Sequence, residues 1–166
     1  MERLWAPWRM AYIKDAAAAG DSDTECVLCR IAKEADKEEE NLVVARGKHV
    51  FVVLNRFPYS NGHLMISPYK HVRDFSGLAP RAVTELVEYT QESINTLRRM
   101  SNPDGFNLGA NLGRVAGAGI DFHLHMHVVP RWSGDTNFMP VLADVKVIAQ
   151  ALEETWRELR SHWQGG

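Results

Sequence analysis

The 166-residue chain has only two cysteines, Cys26 and Cys29. Too few for a disulfide framework of the secreted mini-domain kind, they read as a metal knuckle, a redox dithiol or two buried thiols. No apolar run approaches the roughly 20 residues of a membrane-spanning helix. The opening Met1-Glu2-Arg3-Leu4-Trp5-Ala6-Pro7-Trp8 lacks the apolar core of a signal peptide. Charge of one sign is scarce too, since 19 Lys+Arg against 21 Asp+Glu leave a formal net charge of -2. Bulk attraction to nucleic acid therefore has no basis. Internal repeats and long linkers are also missing. These absences predict a reduced, cytoplasmic protein with neither a membrane nor a nucleic acid as partner. With 45% hydrophobic residues, the chain can bury a core.

One domain is expected over residues 1–166, comprising an arm at 1–23, a core at 24–140 and a C-terminal helix within 141–166. Trp5, Trp8 and Tyr12 make the arm aromatic, and a partner subunit is one place to bury them. After the cysteines, a short helical segment leads to Glu38-Glu39-Glu40, read as a solvated surface. Strand-like runs follow at Leu42–Ala45, Val50–Asn55 and His63–Ser67, punctuated by Gly47, Pro58, Asn61, Gly62 and Pro68. From Pro80, apolar Val83, Leu86, Val87, Ile94 and Leu97 recur at helical spacing. Further strands are predicted at Phe106–Asn111 and Phe122–Val129, and a helix near Val145–His162. The pattern is α+β: an antiparallel sheet with one long helix and a C-terminal helix.

The most informative stretch is His123-Leu124-His125-Met126-His127-Val128-Val129. On a strand, the three histidines would share one face while Leu124, Met126 and Val128 face the core. Three solvated histidines are one reading. One shared metal is a second, but at about 3.3 Å per residue His123 and His127 lie roughly 13 Å apart. At most two neighbours could then reach one ion, whose bonds are about 2 Å long. The third reading is catalytic, with a central imidazole oriented by its neighbours. The preceding loop favours it: Gly113, Gly117 and Gly119 could let backbone N–H groups approach an anion.

These residues resemble the histidine-triad superfamily of nucleotide hydrolases and transferases, whose signature is His-x-His-x-His followed by apolar residues. Leu54-Asn55-Arg56-Phe57-Pro58-Tyr59-Ser60-Asn61-Gly62-His63-Leu64 is similar to the family's nucleoside-binding strand pair, and Asn111-x-Gly-x-x-Ala-Gly to its phosphate loop. Leu4-Trp5-Ala6-Pro7-Trp8-Arg9 and Pro130-Arg131-Trp132-x-Gly134-Asp135-Thr136-Asn137-Phe138-Met139-Pro140 resemble the bacterial subgroup of diadenosine tetraphosphate phosphorylases and related hydrolases.

The resemblance implies a homodimeric enzyme that cleaves a phosphoanhydride of an adenine nucleotide or dinucleoside polyphosphate. His125 would be the nucleophile, forming a nucleotidyl-histidine resolved by phosphate or water. His123 and His127 would hold it and contact the phosphate region. Amides near Gly117 and Gly119 would stabilise charge, Asn55 would bond the ribose and Asn111 the phosphates. His63 would be catalytic, or a structural histidine opening a strand. Many members carry Gln or Ser before the triad; Ala118-Gly119-Ile120-Asp121-Phe122 has neither. A regulatory nucleotide-binding module is the non-catalytic alternative. The resemblance also implies structural zinc on Cys26, Cys29, His71 and His123. Arg114 and Arg131 could touch phosphate or face solvent.

Overall fold

The computed structural model describes residues 26–135 and 150–165. The aromatic arm, residues 136–149 and the expected start of the C-terminal helix lie outside them. Helix α1 spans Val27–Lys33, with Cys26 as its N-cap residue. The helix thus begins inside the Cys-x-x-Cys pair, earlier than expected, and carries Cys29 in its first turn. Strands β1 (Val43–Arg46), β2 (Val50–Leu54) and β3 (Leu64–Pro68) fall where alternation placed them. Helix α2 (Pro80–Ser101), β4 (Gly105–Gly109), β5 (Met126–Arg131) and α3 (Leu152–His162) complete the chain. The five strands form one antiparallel sheet in the order β1-β2-β3-β5-β4.

Strand β2 is buried on both faces and sorts its residues by parity. Val50, Val52 and Leu54 join Leu86 and Leu97 of α2, and Trp156 and Leu159 of α3, in one apolar layer. Phe51 and Val53 join Leu28, the two cysteines, Ile120 and Phe122 in a second layer on the opposite face. One face therefore carries the long helices, and the other carries α1 with its thiols.

Helix α2 starts with Pro80 in its first turn and ends at Asn102, whose φ of 43° is left-handed. Val87, expected in its apolar stripe, is 53% exposed. At 3.6 residues per turn it lies one step off the Leu86 line. The acidic run lies at the surface as expected, and two of its carboxylates are ion-paired. Arg157 bonds Glu39 at 2.7 Å, while Arg46 and Arg160 both bond Glu38. With the Trp156 indole donating to the Val43 carbonyl at 2.8 Å, these pairs dock α3 across β1.

The strand predicted over Phe122–Val129 begins only at Met126. The cause lies on β3. Pairing of Ile66 with Met126 would set Pro68 opposite position 124, and proline has no N–H to extend the ladder. The Leu124 carbonyl instead accepts from the Ser67 hydroxyl at 3.0 Å, and the Leu124 N–H donates to the Val72 carbonyl at 2.6 Å. His123 and His125 thus lie before the strand, and only His127 lies on it.

Candidate active site

Leaving the ladder separates the three rings. His123 is 1% exposed and turns toward α1, its Nδ1 3.2 Å from Cys26 Sγ and 3.4 Å from Cys29 Sγ. His71 Nδ1 lies 3.1 Å from Cys29 Sγ. The ligand atoms of Cys26, Cys29, His71 and His123 all fall within 4.8 Å of one another, so these four residues could hold a metal ion. Nε2 of His123 meets the Pro68 carbonyl at 2.9 Å, which fixes the ring with Nδ1 toward the thiols. Both ring nitrogens are thereby committed, and the expected contact of this ring with phosphate gives way. The contribution of His123 to its neighbour comes through its main chain.

That contribution is a hydrogen bond of 2.8 Å between His125 Nδ1 and the His123 carbonyl. A carbonyl only accepts, so Nδ1 carries the proton and Nε2 of the neutral ring holds a lone pair. Burial lowers the His125 pKa from its ordinary value, and the bond to His123 opposes that shift without overturning it. The ring therefore stays neutral near pH 7.

His127 is fixed from the other side. The main-chain N–H of Tyr59 donates to His63 Nδ1 at 3.1 Å, which makes that nitrogen the acceptor. The Asn55 amide nitrogen approaches the same atom at 3.2 Å, while its carbonyl oxygen accepts from the Phe57 N–H at 2.9 Å. His63 Nε2 must then carry the proton and donate to His127 Nδ1, 2.9 Å away. In the neutral His127 ring the remaining proton sits on Nε2. The chain from Tyr59 through His63 thus turns His127 into a donor beside His125, with ring centroids 4.9 Å apart. His63 is wholly buried and acts through His127.

Beside this relay, Leu28, Ile31, Val53, Phe57, Met65 and Ile120 line an apolar pocket against α1, with Asn55 on its wall. Asn111 and the glycine loop lie on the β4 side. The Asn111 amide reaches the Gly117 carbonyl at 3.4 Å and fastens the loop. Gly113 and Gly117 have φ of 83° and 88°, which explains the glycines. Three of the loop's amides bond within the turn. Ala116 and Ala118 donate to the Gly113 carbonyl, and Gly117 donates to the Arg114 carbonyl at 2.9 Å. The Gly117 N–H is therefore spent within the turn.

Sequence reasoning missed Tyr59, whose ring centroid lies 4.6 Å from that of His63 and 5.7 Å from that of His127. It also missed the Pro68 carbonyl and the Ser67 hydroxyl. The signals were faint: a tyrosine in a turn segment, and a proline closing a strand.

A family model for the HIT domain matches residues 36–134. The chain belongs to the HIT family. Over 165 residues it is 43% identical to a Mycobacterium tuberculosis protein named AP-4-A phosphorylase, with 98% of this chain and 85% of that one covered. The crystal structure of a Zn-bound histidine triad family protein from Mycobacterium smegmatis superposes with a TM-score of 0.67 at 25% identity. That match covers 85% of this chain and 94% of the other. A HIT family protein from Bacillus anthracis gives a TM-score of 0.58 at 29% identity, covering 66% of this chain and 74% of its own. Among the described residues, no helix is long and apolar enough to cross a membrane.

Proposed function

We propose that this HIT protein is an enzyme that cleaves a phosphoanhydride of a dinucleoside polyphosphate, with diadenosine tetraphosphate as substrate and phosphate as acceptor. The observation that carries the reading is the pair of oppositely set imidazoles. His125 offers a lone pair at Nε2, and His127 offers a proton at Nε2. The 43% identity to a protein named AP-4-A phosphorylase supports the substrate class.

His125 Nε2 attacks the α-phosphorus, forming an N–P bond as the bond to the leaving oxygen breaks. His127 donates a hydrogen bond from Nε2 to that oxygen as its charge develops, and ATP departs. Inorganic phosphate then attacks the phosphorus, the N–P bond breaks and ADP leaves. Asn55, on the pocket wall, faces the ribose, and the apolar pocket takes the adenine. Asn111 and Gly119 complete the phosphate contacts.

We assign zinc to Cys26, Cys29, His71 and His123. Tetrahedral zinc holds neighbouring sulfur and nitrogen ligands roughly 3.5 Å apart, close to the spacing of these atoms. Two thiolates and two imidazoles are a donor set that suits it. When bound, zinc supplies a structural tie between α1 and the segment that delivers His125. Reduced thiols in this role fit a cytoplasmic setting. We further assign a homodimer.

Product analysis tests the reading. With diadenosine tetraphosphate and phosphate, ADP and ATP should form, and His125→Ala should abolish turnover. AMP and ATP forming without phosphate would make water the acceptor. Nucleotide binding with no turnover of any adenylate would leave only a regulatory module.

A further inference from the structure

We propose that Arg114 binds the phosphates of the leaving half of the substrate and so sets the preference for long polyphosphate chains. The inference rests on His125 being the nucleophile of the reading above.

Both ends of the glycine loop meet the histidines. It departs from β4 at Gly109, which pairs with His127, and returns through Asp121, two residues before His123. Arg114 is tied to that returning limb, its Nε donating to Asp121 Oδ2 at 3.1 Å. The Asp121 carboxylate occupies Nε and leaves the two terminal nitrogens free. Among the described residues, neither terminal nitrogen has a hydrogen-bond partner, and the side chain is 70% exposed.

Arg131, the other arginine flanking the histidines, is the contrast. Its Nε and one terminal nitrogen fork onto Asp135, and the other terminal nitrogen donates to Asn107 at 2.8 Å. All three nitrogens of that guanidinium are thus already engaged, although each terminal one keeps a further N–H. Three of the loop's own amides are committed too, since Ala116, Gly117 and Ala118 donate within the turn. Beside the amides that remain, the Arg114 fork is the strongest donor this loop offers.

The chemistry suits the role. A guanidinium edge binds phosphate oxygens bidentately and keeps its charge at any working pH. The leaving group departs in line, on the side away from His125 Nε2. The negative charge there grows with every added phosphate. A fixed cation at that place favours a departing nucleotide triphosphate over a small neutral leaving group.

The test compares two substrates on wild type, Arg114→Gln, Arg114→Lys and Asp121→Asn. One is diadenosine tetraphosphate; the other is adenosine 5′-phosphoramidate, whose leaving group is small and carries no phosphate. Loss of charge-assisted bonds should lower kcat/KM for the tetraphosphate by about ten- to a hundredfold in Arg114→Gln. The phosphoramidate should lose far less, so the ratio of the two rates collapses. Inhibition by ATP should weaken in parallel. Arg114→Lys should recover only part, because an ammonium lacks the fork. Asp121→Asn should raise KM for the tetraphosphate while the melting temperature holds. With an active wild type, equal loss on both substrates or no loss would overturn the Arg114 assignment alone. A wild type silent on both would overturn the proposed function and this inference with it.

Discussion

His125 Nδ1 lies 2.8 Å from the main-chain oxygen of His123, while the ring of His123 faces Cys26 and Cys29. One residue thus anchors the His125 imidazole with its backbone and joins the thiol cluster with its side chain. Any change at the cluster that shifts the His123 backbone also shifts the proposed nucleophile.

Cys29→Ser should therefore do more than loosen α1. Bound metal should fall from one equivalent to well below one, measured on purified protein by elemental analysis. The melting temperature should drop by several degrees, because binding of such a metal couples to folding. kcat should fall by roughly tenfold or more through the His123 carbonyl. Full activity in a metal-free, folded variant would break the link between the cluster and His125.

His63→Phe keeps a ring in the buried site but removes the donor to His127 Nδ1. The His127 tautomer is then no longer fixed, and on the proposed mechanism its hydrogen bond to the leaving oxygen suffers. kcat should fall by about a hundredfold, at the lower end of what losing one such donor costs. KM should change little, since His63 is buried behind His127 and does not line the base pocket. A substrate whose leaving oxygen develops little negative charge should recover most of the loss.

Gly62 has a φ of 77°, and a Cβ placed there would come within 2.8 Å of Leu97 Cδ2. Gly62→Ala adds a left-handed penalty to overpacking against α2, at a cost of about 1–3 kcal/mol. Denaturant unfolding should show a lowered midpoint with an unchanged slope. The turn also bears Tyr59 and opens the strand that carries Leu64, so kcat should fall as well.

Glu92 ties the end of the chain to α2, accepting from Arg99 at 2.5 Å, Thr96 at 3.1 Å and the Gln164 N–H at 3.1 Å. Partial burial pushes its carboxyl up, but these three donors outweigh burial and hold it below its ordinary 4.5. A depressed carboxyl stabilises the fold above its unfolded pKa and loses that contribution as pH falls through the folded value. Stability should therefore decline on acidification below about pH 4.5. Glu92→Gln should be less stable at pH 7 and show a shallower acid decline over that range. Identical acid profiles for the two proteins would refute the assignment.

The sheet was legible because its strands alternate or run apolar between turn residues, as in Val50–Leu54. The long helix was legible from Pro80 and the spacing of Leu86 and Leu97, although Val87 shows that apolar content alone does not assign a face. The histidine motif marked the site, but periodicity misplaced its rings. Strand parity assumes a ladder that continues, and pairing depends on what the neighbouring strand can donate. That information sits at Pro68, far away in sequence. The duties of Tyr59 and Ser67 were hidden for a related reason, because a main-chain N–H or a hydroxyl declares its partner only after folding. The glycines marked a loop with left-handed positions, yet spacing could not reveal that the Gly117 amide donates within the turn.

The proline that closes β3 also has a consequence for how this motif can vary. A regular strand would confine its histidines to one plane of side chains, with one environment for all three. Releasing the chain two residues before His127 gives His123 an independent direction, so the same pentapeptide can serve both a thiol cluster and, in the proposed function, a reacting phosphate. A residue able to donate at position 68, as in Pro68→Val, would let the ladder run on through 124. It would draw His123 back into line with His127 and set the two duties in competition. The division of labour among three identical side chains thus depends on a hydrogen that a neighbouring strand does not possess.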